Sequence, residues 1–134
     1  MTGSRADDAN GAIGVVIADD NAGMRELLRL VCDLDGRLRL VGEAADGAQT
    51  LAVVAAERPD VLLLDLGMAP KRGLELVRQV KASPAAPAVV ALALFETPEA
   101  LAAAKRAGAD ELVGKESFIS GLAQVLGRLF PAVS

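Results

Sequence analysis

The stretch Ile13-Gly14-Val15-Val16-Ile17-Ala18-Asp19-Asp20 is a short apolar, partly β-branched run that stops on two carboxylates, and Asn21 then heads an amphipathic segment. It reads as a buried strand followed by a helix cap and a helix. The same succession recurs along the chain. Strands are predicted at Ile13–Ala18, Arg39–Glu43, Val61–Leu64, Ala88–Leu92 and Glu111–Gly114, and helices at Ala22–Leu34, Gly47–Glu57, Gly73–Lys81, Pro98–Ala107 and Phe118–Leu129. Strict alternation of this kind predicts an α/β fold: a five-stranded parallel sheet with five helices on both faces. Asn21, Asp46, Thr97 and Ser117 are the expected N-caps, Pro98 fits the first helical turn, and Gly36 and Gly108 are expected to stop helices. The first, third and fourth runs are nearly all apolar, as in strands covered on both sides, whereas Glu111–Gly114 is mixed and expected at an edge.

With 134 residues the chain has the length of one domain, expected over residues 11–133 after a polar, disordered leader at residues 1–10. Mean hydropathy is +0.37, yet no apolar run approaches the roughly 18 residues that span a bilayer, so no membrane role is expected. Histidine is absent, which removes Ser/His/Asp and Cys/His nucleophile systems and His-ligated zinc from the chain itself. Aromatics are 2% of residues and the net charge is −4, so stacking platforms and phosphate-binding basic patches are missing and direct nucleic-acid binding is not expected. Cys32 is the single cysteine and lies at helical spacing among apolar residues; it is expected to be a buried hydrophobe in a cytoplasmic protein.

Sheets of this type bind ligands beyond the carboxyl ends of their strands. The residues expected on that rim are Asp19 and Asp20 after the first strand, Asp65 after the third, Ala93 and Leu94 after the fourth, and Lys115 after the fifth. Three carboxylates converging there repel one another unless a cation joins them. Mg²⁺ is the economical candidate, since it prefers hard oxygen ligands and is commonly held by one or two carboxylates plus a phosphate oxygen. A lysine beside it supplies further positive charge for a phosphoryl group, so the expected chemistry is phosphoryl transfer to a carboxylate.

The spacing of Val15-Val16-Ile17-Ala18-Asp19-Asp20, Leu62-Leu63-Leu64-Asp65-Leu66-Gly67-Met68 with Gly73, and Gly108-Ala109-Asp110 with Lys115 resembles the receiver domain of two-component response regulators, over about Ile13 to Phe130. The resemblance implies a flavodoxin-like (βα)5 sandwich in which Asp65 is the phosphoacceptor for a phosphohistidine on a sensor histidine kinase or phosphotransfer protein. It implies that Asp20 coordinates Mg²⁺ directly, Asp19 through water and Gly67 through its backbone carbonyl. Lys115 and the backbone of Leu94 would engage the phosphoryl oxygens. It also implies a partner face on the fourth helix, fifth strand and fifth helix, where Leu101, Ala104 and Ala107 are expected in the core and Glu99, Lys105 and Arg106 in solvent; a homodimer is one assembly such domains adopt. Val41-Gly42-Glu43-Ala44-Ala45-Asp46-Gly47 resembles the subfamily usually fused to a LuxR-type helix-turn-helix, so the chain is expected to be a stand-alone receiver or one excised from a longer transcription factor.

Several positions depart from that pattern. Ala93 stands where receivers carry Thr or Ser, Leu112 where they carry a switch aromatic, Ala69-Pro70 where Pro comes one residue earlier, and Arg72 where Asp or Asn is frequent. The acceptor and metal residues are retained while the expected readout is altered, and the rival reading is a degenerate receiver that docks partners independently of phosphorylation. Other classes fit less well. A haloacid-dehalogenase phosphatase needs a second Asp where Gly67 stands, and a P-loop at Gly114-Lys115 lacks its earlier glycine (Ala109) and its Ser/Thr (Glu116). No Gly-rich turn follows the first strand, and cobalamin-binding domains of similar topology rely on a histidine.

Overall fold

The computed structural model describes residues 12–68 and 73–131. The expected leader, the outermost residues of the expected domain, and the departures at Ala69-Pro70 and Arg72 lie outside the described residues. Among the described residues, strands β1 (Ile13–Ala18), β2 (Leu38–Ala44), β3 (Val61–Asp65), β4 (Ala88–Ala93) and β5 (Glu111–Gly114) alternate with helices α1 (Ala22–Leu34), α2 (Gly47–Glu57), α3 (Gly73–Lys81), α4 (Pro98–Ala107) and α5 (Phe118–Leu129). All strand pairs are parallel, in the order β2-β1-β3-β4-β5. The flavodoxin-like α/β architecture expected from the sequence is therefore present, with β5 at an edge.

Strand periodicity divides the core between the two faces of the sheet. Val16, Ala18, Leu62, Leu64 and Ala91 pack with Leu76, Val77 and Val80 of α3 and Ala104 of α4, while Val15, Ile17, Leu63, Val90 and Leu92 pack with Leu28 and Cys32 of α1 and Leu122, Val125 and Leu126 of α5. Burial pushes the Cys32 thiol up to about 12, so it is a packed, unreactive group.

Boundaries shift by a residue in places that matter. Asp65 and Ala93 are the last residues of β3 and β4, where the sequence reading placed them just beyond the strands; their pairing with Leu92 and Gly114 extends both ladders. Side chains of Asn21, Asp46 and Thr97 accept hydrogen bonds from the amides of Met24, Gln49 and Ala100, as caps should. Ser117 makes no such bond, because a 3-10 turn at Lys115–Ser117 leads the chain into α5. Gly108 takes the left-handed conformation (φ 110°) that ends α4. Gly36 does not: α1 closes on extended Asp35, whose N–H donates to the Cys32 carbonyl and whose carboxylate grips Arg37. In α4, Ala104 and Ala107 are buried as expected, but Leu101 is 42% exposed, lining an open surface pocket with Thr97, Pro98 and Leu112 instead of entering the core.

Candidate functional site

The sheet reverses its winding between β1 and β3, since β1 leads out to β2 on one side and β3 leads on to β4 on the other. A crevice opens at such a reversal, above the carboxyl ends of the strands. Asp19 and Asp20 stand just past the end of β1, and Asp65 ends β3, so the topology sets the three carboxylates across this crevice. One carboxylate oxygen from each lies within 4.8 Å of the others. Asp19 is fully buried, Asp65 is 4% exposed, and Asp20 faces solvent.

Lys115, carried to the same rim by β5, places its ammonium 3.1 Å from Asp65 Oδ1 and 3.3 Å from Asp19 Oδ2. Burial works against the charged lysine, but the hydrogen bond and charge of Asp65, aided by Asp19, outweigh it and raise the Lys115 pKa. Asp65 Oδ1 also accepts a 2.9 Å bond from the Gly67 amide, closing a tight turn after β3. Asp19 Oδ1 accepts from the Asn21 amide at 2.9 Å, while its buried Oδ2 makes no hydrogen bond of good geometry and lies 3.3 Å from the Lys115 ammonium.

Asp19 pays for this placement. Burial, reinforced by the neighbouring Asp65 charge, raises its pKa above the ordinary carboxylate value, against the lowering effect of the Asn21 amide and Lys115. A carboxyl whose pKa is raised on folding binds its proton more tightly in the folded chain than in the unfolded one. Its stabilising contribution is complete below the unfolded pKa and is lost as pH rises through the folded value. In Mg²⁺-free buffer, Asp19→Asn is therefore expected to melt at a higher temperature than the wild type at neutral pH. The difference should shrink as pH falls below the unfolded carboxylate range, and calorimetry across pH checks both.

The donor set fits Mg²⁺. It consists of hard carboxylate oxygens from three residues gathered within 4.8 Å of one another, with Asp19 Oδ2 buried and making no hydrogen bond of good geometry.

Ala93 and Leu112 face the same side of the sheet: Ala93 packs against the cluster that contains Leu112, which is 6% exposed among Ala91, Ala104, Ala107 and Ala109. Leu94, next along the chain, turns its side chain outward at 67% exposure. Sequence reasoning missed two supporting groups. Arg25 donates from Nη1 to the Asp19 carbonyl at 2.8 Å and sits 3.7 Å from Glu43, which Arg29 grips through two bonds of 2.7 and 2.8 Å. Arg25 lies in the first turn of α1, where side chains lean back toward the helix start, and that spacing from Asp19 was the available signal. The other is Glu96, whose carboxylate accepts from the Gly114 amide at 3.2 Å; no spacing rule announces it.

A doubly wound parallel sheet with three carboxylates and a lysine at its reversal point defines a class of phosphate- and metal-handling α/β domains. Residues 15–126 match the family described as the response regulator receiver domain, and the chain belongs to that family. It is 42% identical over 109 residues to protein-glutamate methylesterase/protein-glutamine glutaminase 5 of Myxococcus xanthus, covering 81% of this chain and 31% of that protein. It is 38% identical over 112 residues to the corresponding enzyme 2 of Cereibacter sphaeroides, again with 83% of this chain and 31% of the relative covered. The chain thus spans about a third of the length of the curated relatives it matches. Among solved structures, the signal receiver domain of the putative response regulator NarL from Mycobacterium tuberculosis superposes with a TM-score of 0.79 at 29% identity, covering 88% of this chain and 96% of that one. The response regulator domain of Thermotoga maritima CheB gives 0.76 at 24% identity, covering 91% and 96%, which speaks to the fold alone. No helix among the described residues is long and apolar enough to cross a membrane.

Proposed function

We propose that this receiver takes a phosphoryl group from a phosphohistidine on a sensor histidine kinase or phosphotransfer protein onto Asp65. The observation that carries the reading is the convergence of Asp19, Asp20 and Asp65 within 4.8 Å, with Lys115 bonded to Asp65 at 3.1 Å. An Asp65 carboxylate oxygen forms the new P–O bond as the P–N bond to the partner's imidazole breaks, and the departing imidazole keeps the electron pair and takes up a proton. Asp20, Asp65, the Gly67 carbonyl and, through water, Asp19 would hold Mg²⁺, which when bound would supply charge neutralisation for the phosphoryl oxygens. Lys115 moves from a carboxylate partner to a phosphoryl partner without losing an ion pair, and the Leu94 amide donates to the same group. The Gly67 amide and the Lys115 ammonium both engage Asp65 Oδ1 and so restrain the carboxylate.

The chain acts on no separate substrate in this reading; its chemistry is its own phosphorylation and the later loss of the phosphate, in the cytoplasm. The curated relatives above are methylesterases, and they lend no support to the LuxR-linked subfamily that Val41–Gly47 resembles. Ala93 offers no hydroxyl to the phosphoryl group, and a hydrogen bond to a charged group contributes about 1.5–3 kcal/mol. Phosphorylation should therefore bias the conformation less than in receivers that carry Thr and an aromatic. The same two residues favour the rival, a receiver that docks partners whatever its phosphorylation state.

Acetyl phosphate labelled on phosphorus separates the two. Incorporation that requires Mg²⁺, stops with EDTA and is released by hydroxylamine, as an acyl phosphate must be, supports the phosphoacceptor reading. No incorporation, or label stable to hydroxylamine, leaves the phosphorylation-independent module.

A further inference from the structure

We infer that Glu96 is a positioning residue, tying the segment between β4 and α4 to the end of β5 and so fixing the backbone from which Lys115 reaches the carboxylate rim. The inference deepens the phosphoacceptor reading and rests on it for the purpose that the tether serves. Glu96 Oε1 accepts from the Gly114 amide at 3.2 Å, a link between residues 18 apart in sequence. Gly114 is the last residue of β5, pairs with Ala93 of β4, and is bonded directly to Lys115. A shift in the Gly114 backbone is therefore a shift in the base of the lysine whose ammonium is 3.1 Å from Asp65.

Leu94 and Phe95 are 67% and 60% exposed and so contribute little apolar anchorage. Ala93 and Leu112 bring only aliphatic groups to this junction. An open surface pocket of about 290 Å³, lined by Glu96, Thr97, Pro98, Leu101 and Leu112, lies beside the tether.

The test compares Glu96→Ala and Glu96→Gln with the wild type in the full chain. Glutamine keeps an oxygen acceptor but removes the charge, so it discriminates a bond from a field. In Glu96→Ala, amide exchange at Gly114 by NMR is expected to accelerate about threefold to tenfold, the range of a partly solvent-exposed hydrogen bond. Phosphorylation by acetyl phosphate should slow, and Glu96→Gln should restore both. Equal Gly114 exchange in wild type and Glu96→Ala, or a Gln variant that behaves like Ala, overturns the tether. A wild type that takes up no phosphate defeats the phosphoacceptor reading instead, and the exchange comparison still decides whether Glu96 holds Gly114.

Discussion

Asp20→Ala is expected to lose Mg²⁺ affinity by about a hundredfold or more while keeping its fold. Even residues that merely support metal ligands cost about 10–100-fold when removed, and a direct carboxylate ligand costs no less. Asp20 is the exposed member of the trio, makes none of the buried contacts of Asp19 and Asp65, and follows the strand rather than belonging to it. Its removal thus subtracts a ligand and little packing. Binding to the folded state alone stabilises by RT ln(1 + [L]/Kd), about 1.4 kcal/mol at ten times Kd. Wild type should therefore melt progressively higher as Mg²⁺ is added, and Asp20→Ala should show a flat response over the same concentrations. An Asp20→Ala protein stabilised by Mg²⁺ as much as the wild type would remove Asp20 from the ligand set. A flat Mg²⁺ response in Asp20→Ala, together with an Asp19→Asn protein more stable than wild type without metal, would show that the trio is held at a cost to stability that a cation offsets.

Gly73→Ala should destabilise the fold by about 3 kcal/mol, the upper end for overpacking, because the atom it would strike is backbone. A Cβ on Gly73 would lie 2.3 Å from the Leu66 carbonyl oxygen and 3.0 Å from its carbon. Neither can rotate away as a side chain could, so α3 or the turn after Asp65 must move. That turn is the one in which the Gly67 amide holds Asp65 Oδ1, so the damage should reach the acceptor as well as stability. A fall in melting temperature of about 10 °C is expected for a chain of this size. Gly127→Ala, in α5 with nothing within 4 Å of the new methyl, is the control and should gain up to about 1 kcal/mol. Denaturant melts of the two variants that give similar, small changes would contradict the close packing of Gly73 on Leu66.

The contrast between these glycines shows where sequence reading reaches and where it stops. The apolar runs of β1, β3 and β4 and the caps at Asn21, Asp46 and Thr97 are local signals, and the elements they predict coincide with those observed. Asp19, Asp20, Asp65 and Lys115 are legible for a topological reason: residues at carboxyl ends of parallel strands share one rim whatever the loops do. What was not legible depends on tertiary geometry. α1 stops just before Gly36 as expected, but closes on extended Asp35, whose carboxylate holds Arg37, rather than on a left-handed glycine. Arg58 closes α2 in the left-handed region at φ 49° although it is not glycine. Leu101 lines an open surface pocket instead of entering the core, and the Glu96 bond to Gly114 joins parts of the chain that no periodicity relates.

The central claim is that Asp65 is the acceptor, and the most direct measurement is intact-protein mass spectrometry of wild type and Asp65→Asn after incubation with Mg²⁺ and acetyl phosphate. Asparagine preserves the shape and the oxygen that accepts from Gly67 while removing the nucleophilic carboxylate. A phosphoryl adduct is expected on the wild type and none on Asp65→Asn. An unmodified wild type, or an Asp65→Asn protein that carries the adduct to the same extent, would contradict it.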